Sequence, residues 1–328
     1  MIGRLRNRWS RWAGFLARKE PATPLALFRI FVGLVLVHTY VMFIWTDSLP
    51  IWLHVDHGGI HNLTPRNWLM VGLGGPRPEV VWPLILVGLA SGITLTLGLF
   101  SRISALVALQ MGMALFNLMP AAGGGHDRLI TNALWILLLS PAGATLSLDS
   151  LWKNKSLVDL SPQVAWPRYA LLVQLCLVYC TTGIQKLGSS WFPWGDYSAV
   201  YYALLTPSWV RYDMSWVAWV YPFTQVGTAI TWIWEVSFPM VVVWLWWRHS
   251  KERGGRARRF AQKVDLRIPY AVIGLTMHAI LFVMMNVGPF SLITTSFYIA
   301  MWHHDELARW VPAFGRSTKA AAGAPSPG

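Results

Sequence analysis

A single lysine stands where the sequence changes from membrane-like to aromatic. Lys186 follows the apolar run of residues 171–182 and precedes Trp191 and Trp194. An ammonium surrounded by apolar walls loses hydration, so the neutral amine becomes accessible as a base that could deprotonate a weak acid in a dry site. The alternative is structural: the lysine extends to the outer lipid headgroups and the tryptophans form an interfacial belt. Both interpretations stay open at this point.

Two ionisable residues occur near the middle of later apolar runs. Glu235, in TWIWEVSFPM, and His278, in LTMHAILF, lie roughly 18 Å and roughly 15 Å from the inner ends of their predicted helices. Ionisable residues within a membrane usually face the interior of the helix bundle. We therefore expect either a hydrogen bond between these two helices that fixes their packing, or a polar wall of an internal cavity.

Histidines and carboxylates also cluster in two predicted outer segments. The members are His54, Asp56, His57 and His61 in HVDHGGIH, and His126 and Asp127 in GGGHDR. Such residues can bind a transition metal, but a helical HExxH is absent and the Gly pair indicates a turn. We predict a polar loop, exposed or lining an active-site mouth, rather than a metal site. His126 stands out because it precedes a short apolar run and can reach into the bundle from the outer side.

Composition indicates that the solvent of this chain is a bilayer. Of its 328 residues, 55% are hydrophobic and only 12% are charged, which is half of the roughly 25% charged residues of a soluble domain. The 21 tryptophans are typical of interfacial belts.

Apolar runs near the length that a membrane-spanning helix needs, about 20 residues, recur along the chain. The eight candidates are residues 22–46, 80–99, 103–122, 128–141, 166–186, 220–247, 268–287 and 289–304. We predict an all-α, polytopic membrane bundle of about eight helices. Arg29, early in the first run, is expected to extend back to the inner headgroups.

The distribution of positive charge predicts the orientation. With the N-terminus inside, the inner segments hold 21 of the lysines and arginines and the outer segments hold five. This asymmetry follows the positive-inside rule and predicts a multi-pass protein of the cell inner (plasma) membrane with both termini cytoplasmic. It also explains the net charge of +13 without nucleic acid, because the basic loop at 248–267 faces anionic lipid.

The predicted domains are a basic cytoplasmic N-terminus (1–21), a membrane domain (22–305) and a partly disordered cytoplasmic tail (306–328). Two predicted outer loops, 47–79 and 187–219, are long and rich in Trp, Tyr and Pro. Long loops are often functional. We expect them to cap the outer mouth of the bundle and to offer a surface to a peptide or protein partner.

Four segments together resemble the HTTM (horizontally transferred transmembrane) domain, the membrane part of vitamin K-dependent γ-glutamyl carboxylases. They are LALFRIFVGLVL, HDRLITNALWILLLSPAGATLSLDSLW, the GIQKL stretch with its following tryptophan, and the late spans that carry Glu235 and His278. The resemblance covers residues 20–305, nearly the whole chain.

The resemblance implies a chemistry. In the carboxylases, the lysine of the G-x-x-K-L stretch is thought to deprotonate reduced vitamin K, and oxygen then converts the quinol anion into a strong base that removes a γ-proton from glutamate before CO2 adds. Lys186 matches that lysine and His126 resembles the family histidine, so we predict both as catalytic. The expected cofactor is a reduced, vitamin K-like quinone. The residues predicted to bind it are Trp191, Trp194, Glu235 and His278.

Three functions remain in view. The first is a quinol-dependent carboxylase-like enzyme or oxidoreductase, although the large lumenal portion that grips the propeptide in carboxylases has no counterpart here, so a protein substrate is not expected. The second is a non-catalytic maturation or scaffold factor, like those that help mature a sporulation-delaying peptide toxin, or like DoxX-type proteins, which PAGATLSLD (141–149) resembles. The third is a transporter with Glu235 and His278 as a proton relay, disfavoured because no inverted repeat is visible.

Overall fold

The fold is described from a computed structural model. It describes residues 9–10, 13–14, 16–53, 67–116, 118, 123–249 and 254–311. The segment with His54, Asp56, His57 and His61 lies outside these residues, and so does most of the predicted tail.

The described residues are mainly helical, at 74%, which confirms the predicted all-α class. The α-helices are α1 (Thr23–Trp45), α2 (Leu49–Leu53), α3 (Trp68–Gly72), α4 (Pro78–Leu97), α5 (Ser101–Leu115), α6 (Gly125–Leu139), α7 (Leu148–Asn154), α8 (Trp166–Gln185), α9 (Ala199–Leu204), α10 (Tyr221–Ser237), α11 (Pro239–His249), α12 (Arg256–Lys263), α13 (Arg267–Met284), α14 (Phe290–Ser296) and α15 (His304–Trp310). Short 3₁₀ helices cover Ser189–Trp191, Pro193–Gly195, Ser215–Val220 and Phe297–Met301. Two three-residue strands, β1 (Lys19–Pro21) and β2 (Pro162–Val164), pair antiparallel.

The chain divides into two compact units. The first unit comprises Met1–Leu171 and Ile299–Gly328. Within it α1 packs on α4, α4 on α5 and α5 on α6, so that sequential helices are neighbours. Gly33 allows the close approach of α1 and α4, because a Cβ atom there would collide with the backbone of Thr96. Next to the two strands, Arg168 binds both carboxylate oxygens of Glu20, at 2.6 and 2.9 Å.

The second unit comprises Leu172–Tyr298. Within it α9 packs on α10, α11 on α12, and α13 on α14. A backbone hydrogen bond joins two loops of this unit: the N–H of Asn286 donates to the carbonyl of Trp209 at 2.7 Å. This unit holds Lys186, Glu235 and His278.

The predicted number of eight membrane crossings is not confirmed. Three helices are long and apolar enough to cross by themselves: Thr23–Trp45, Pro78–Leu97 and Arg267–Met284. A fourth crossing requires joining α10 and α11, which the sequence predicts as one span but which are bent by 53°. Pro239 accounts for the break, because it has no N–H to continue the helical hydrogen bonds. The helices α5 and α6 have 15 residues each, fewer than the roughly 20 that a full crossing needs.

Arg29 corrects a second expectation. Its side chain is fully buried in the first unit rather than extended to headgroups. The guanidinium donates to the carbonyls of Ala142 at 2.9 Å, Thr145 at 3.4 Å and Leu146. These carbonyls belong to the PAGATLSLD segment, so the arginine holds an irregular loop that would otherwise leave backbone acceptors buried without donors.

Candidate functional site

Lys186 and Glu235 form an ion pair in the second unit. The Lys186 Nζ atom contacts Glu235 Oε2. Lys186 directly follows the last residue of α8, and Glu235 lies in the last turn of α10. Gly183 permits this contact between helix ends, because an added Cβ there would lie 2.9 Å from both the Glu235 Cβ and the Val236 backbone nitrogen. A glycine one turn before the lysine is therefore part of the construction of the pair.

The ion pair is largely buried but keeps some exposure to solvent. The Glu235 side chain is 7% exposed and the Lys186 side chain is 19% exposed. The indole of Trp191 covers the amine, with Nζ 4.8 Å from the ring centroid. Such a contact stabilises a cation through the ring quadrupole. The 3₁₀ helix Ser189–Trp191 brings the indole back over the lysine only a few residues after α8 ends.

Trp194 belongs to an aromatic stack of its own. Its ring stacks on Phe192 with centroids 4.7 Å apart and an interplanar angle of 14°. Phe192 in turn contacts the edge of Trp232 at 5.0 Å. Trp194 is 75% exposed, so one face of this stack is free of protein contact.

His278 bonds to tyrosine and not to Glu235. Its Nε2 atom lies 2.8 Å from the hydroxyl of Tyr179, which also accepts a hydrogen bond of 2.7 Å from Tyr298. The Tyr179 hydroxyl has one proton to donate. When that proton is directed to Nε2, the imidazole proton is on Nδ1, a buried atom without a hydrogen-bond partner among the described residues. Of the two arrangements expected, a hydrogen bond between Glu235 and His278 is absent among the described residues, and each residue has a different partner, Lys186 and Tyr179.

Aromatic side chains pack around the tyrosine hydroxyl. The Tyr179 ring contacts Trp234 at 4.4 Å and Phe238 at 4.7 Å between centroids. The Trp234 indole N–H donates to the carbonyl of Tyr270 at 3.0 Å, which fixes the ring in place. Because Trp234 precedes Glu235 directly in α10, this packing also holds the carboxylate in position.

His126 lies in the first unit, at the start of α6. Its Nε2 atom is 3.3 Å from the carboxylate of Asp127, which also accepts a hydrogen bond from the Gly124 N–H at 3.0 Å. In the described part of the chain, no group of three or more His, Cys, Asp or Glu residues is placed to hold a metal ion. The structure thus gives His126 an acidic neighbour within its own unit.

Sequence reasoning missed Tyr179 and Tyr298. Both are buried, and together they connect His278 to a hydrogen-bonded chain. A tyrosine in an apolar run is commonly assigned to the membrane interface, and nothing in the spacing of these two residues indicates that they meet. The available signal is the position of Tyr179 on α8, two turns before Lys186, which directly follows the end of the helix.

The geometry places a group that can accept a proton, the pair of Lys186 and Glu235, beside an aromatic surface. A lysine and a carboxylate in contact, largely withdrawn from water, can exchange and store a proton. The indole of Trp191 lies over the lysine, and Ile184 and Leu187, which are near Lys186 in the chain, have exposed side chains. The fold and this site define a helical membrane protein with a sheltered lysine–carboxylate pair at the junction of two helix ends.

Comparison with known proteins gives the family. Residues 17–252 match the HTTM domain, which is well over half of the chain and includes Lys186, Trp191, Trp194, Glu235 and His126. The chain belongs to the HTTM domain family, as the sequence resemblance predicted, and is a membrane protein of the γ-carboxylase-like family. No curated protein and no solved structure matches the chain.

Proposed function

We propose that the protein is a membrane enzyme in which Lys186 and Glu235 together accept a proton from a lipid-soluble weak acid of the reduced-quinone type. The observation that supports this function is the ion pair itself, held under the Trp191 indole and largely out of water. Pairs of this kind are expensive to bury, and ionisable groups in membrane spans mark functional sites by default.

The proton balance is the same for either form of the pair. If the resting pair is ammonium and carboxylate, an incoming proton goes to Glu235. If the resting pair is neutral amine and carboxylic acid, the proton goes to Lys186. In both cases the product is an ammonium beside a protonated carboxyl group, so the pair acts as one base. Trp191 shields the ammonium in this product from water and stabilises its charge.

The residues around the pair suit a reduced quinone. A quinone ring needs apolar or aromatic surface and one polar group that takes its hydroxyl proton. The exposed apolar side chains are Ile184 (59%), Leu187 (80%) and Trp194 (75%), and the polar group is the pair. A bound reduced quinone would supply a weakly acidic hydroxyl and reducing electrons. Trp191 and Trp194 would hold the quinone ring, and Glu235 would orient its hydroxyl group. His278 would donate its Nδ1–H to an oxygen atom of the quinone.

We further propose the membrane arrangement in which this chemistry takes place. The charge asymmetry supports cytoplasmic termini, a multi-pass topology of up to eight crossings and location in the inner membrane. Lys186 then lies toward the outer face, where the segment 187–219 forms part of a cap. We also propose that His126, in the first turn of α6, carries a proton together with Asp127 within the first unit.

The test is quinol oxidation in proteoliposomes under oxygen. Lys186→Met is expected to abolish turnover, because the ammonium that compensates Glu235 is lost and the pair no longer functions. The matched control is Lys263→Met, which removes an exposed lysine from α12. Both variants should insert and purify in folded form, with a lower melting temperature for Lys186→Met only, so turnover is compared below the melting temperature of that variant. Unchanged turnover in Lys186→Met would remove the lysine from the mechanism.

A non-catalytic role as a maturation or scaffold factor is the second candidate. The observation in its favour is a set of exposed aromatic residues in the segment 187–219. They are Trp209 (47% exposed), Tyr212 (57%), Trp216 (45%) and Trp219 (90%). Aromatic residues are enriched in protein interfaces. Under this alternative, the double variant Trp216→Ser with Trp219→Ser should lose binding of the peptide or protein partner, while Lys186→Met should retain it. The enzyme should show the reverse, with the loss in Lys186→Met.

A further inference from the structure

A cavity of about 660 Å³ lies in the first unit, and none of the residues predicted for the site lines it. It is bounded by the turn between α4 and α5, the end of α6 and the helix α7. Its volume is in the range of small-molecule sites, about 300–1,000 Å³. Its lining includes Pro141 and Gly143 of the PAGATLSLD segment, which the proposed function leaves without a role.

The walls of the cavity are built by fixed polar contacts. The buried Arg29 guanidinium holds the carbonyls of the segment from behind, as described above. The carboxylate of Asp149 accepts hydrogen bonds from the N–H of Phe100 at 2.8 Å and the N–H of Ser101 at 2.9 Å. It also accepts from the Ser101 hydroxyl at 3.0 Å. The start of α5 and the start of α7 are thereby tied to each other, so the cavity is a defined shape and not a gap between loose loops.

The cavity lining carries two carboxylates, Asp149 and Asp159, and two cations, Arg102 and Lys153, so its formal charges balance and what distinguishes the two signs is whether each group is already bonded. The negative groups are used locally: Asp149 is bonded as above, and Asp159 accepts from Asn154 Nδ2 at 2.7 Å and from the Ser161 N–H at 2.8 Å. The positive groups are Arg102, which uses only Nε, toward the Ser140 carbonyl at 3.2 Å, and Lys153. Across the described residues, neither cation has an ion-pair partner, and both are exposed.

The position of the cavity is that of a membrane boundary. It opens where α4, an apolar helix long enough to cross the bilayer, ends at Leu97. Phe100 and Trp152 stand at its rim, 52% and 64% exposed, with ring centroids 6.0 Å apart. An exposed tryptophan at the end of an apolar helix is typical of the headgroup level of a bilayer.

We propose that this cavity binds the headgroup of an anionic glycerophospholipid, with Arg102 and Lys153 as the ligands of its phosphate and Phe100 and Trp152 against its glycerol and upper acyl carbons. The ligand chemistry follows from the cations facing an open cavity and from the apolar rim at the level where lipid headgroups lie. The inference is independent of the proposed function, because it uses no residue of the Lys186 site.

The test is native mass spectrometry of the purified full-length protein with phosphatidylglycerol and, in parallel, phosphatidylcholine. The wild type is expected to bind phosphatidylglycerol more tightly. Each cation near an anionic headgroup contributes about fivefold to binding, so Lys153→Gln should weaken phosphatidylglycerol binding about fivefold and Arg102→Gln with Lys153→Gln about 25-fold. The control Lys263→Gln removes an exposed lysine of the second unit and should leave binding unchanged.

Two further arms separate the explanations. Because Arg102 also bonds the Ser140 carbonyl, Lys153→Gln alone carries the test if the double variant does not fold. Trp152→Ser should weaken binding of phosphatidylglycerol while leaving that of inorganic phosphate unchanged. Equal binding of the two lipids, full binding by Lys153→Gln, or competition by inorganic phosphate at the affinity of the lipid would each overturn the proposal.

Discussion

Removing the amine of Lys186 should destabilise the protein more than removing both members of the pair. Lys186→Met leaves the Glu235 carboxylate, 7% exposed, without its cation. Breaking a buried ion pair by deleting one partner costs about 3–5 kcal/mol, whereas replacing both partners is often neutral. We therefore expect the double variant, Lys186→Met with Glu235→Gln, to recover most of the stability that the single variant loses.

The structure sets the expected size of the effect. Because Lys186 keeps 19% of its side-chain exposure, the loss should be at the low end, about 3 kcal/mol. For a chain of 328 residues that corresponds to a fall of about 4 °C in melting temperature. The double variant should lie within about 1 kcal/mol of the wild type, because a neutral amide can still find a hydrogen-bond partner.

The assay uses the protein's own cysteines. Cys176 and Cys180 are the two cysteines of the chain; both are free and half-buried on α8. A thiol-reactive dye therefore reports thermal unfolding of the helix that carries Lys186, in detergent and without engineered labels. If the single variant melts with the wild type, or if the double variant melts as early as the single, the carboxylate is not paired with the lysine and the proposed base does not exist.

Three other outcomes follow from the structure. Gly183→Ala should lower stability by about 1–3 kcal/mol, because the added methyl group overpacks the contact between α8 and α10. The control Gly227→Ala should raise or preserve stability, because an added Cβ there meets nothing within 4 Å. Equal melting temperatures of the two variants would contradict the close approach of the helices. Arg29→Met should prevent stable folding of the first unit, because three carbonyls lose a buried donor at once; the measurement is the yield of monodisperse protein, and a normal yield would count against it. Burial raises the pKa of the Asp265 carboxyl, but hydrogen bonds and charge from Arg267 outweigh it and hold the pKa below its usual value, so its contribution to stability should be present above about pH 4 and be lost as the pH falls through the folded pKa. Melting curves from pH 5 to pH 3 should show this loss in the wild type and a smaller one in Asp265→Asn.

The membrane class and the family could be predicted from the sequence because they depend on composition and on local stretches. Apolar runs and the charge asymmetry extend over the whole chain, and the GIQKL stretch is contiguous. The number of crossings could not be predicted in the same way. Hydropathy does not distinguish a straight span from the bent pair of α10 and α11, although Pro239 in FPM was an available sign of the break.

The partners of the polar residues were beyond sequence reasoning. Lys186 and Glu235 were each identified, but they are 49 positions apart and nothing in their spacing indicates that they meet. Placing Glu235 opposite His278 assumed that consecutive helices share their polar faces. The observed partner of Glu235 is Lys186 because Gly183, which has no side chain, lets the end of α8 approach α10 next to the carboxylate. Arg29 was misjudged for a related reason, because its acceptors belong to a loop more than 100 residues away.

The two helix ends at Lys186 have a consequence for where a proton would go. Aligned peptide dipoles give the C-terminal end of a helix a partial negative charge. Lys186 follows the end of α8, and its partner Glu235 lies in the last turn of α10, where the Phe238 N–H bonds back to the Glu235 carbonyl at 3.2 Å. Both macrodipoles therefore favour a cation at this point and oppose an anion. The state that these dipoles favour holds a cation and no anion, which is the ammonium beside a protonated carboxyl group, so the two helix ends assist the uptake of a proton by the pair. Turnover retained in Lys186→Arg, whose guanidinium stays charged, would agree with a proton that goes to Glu235.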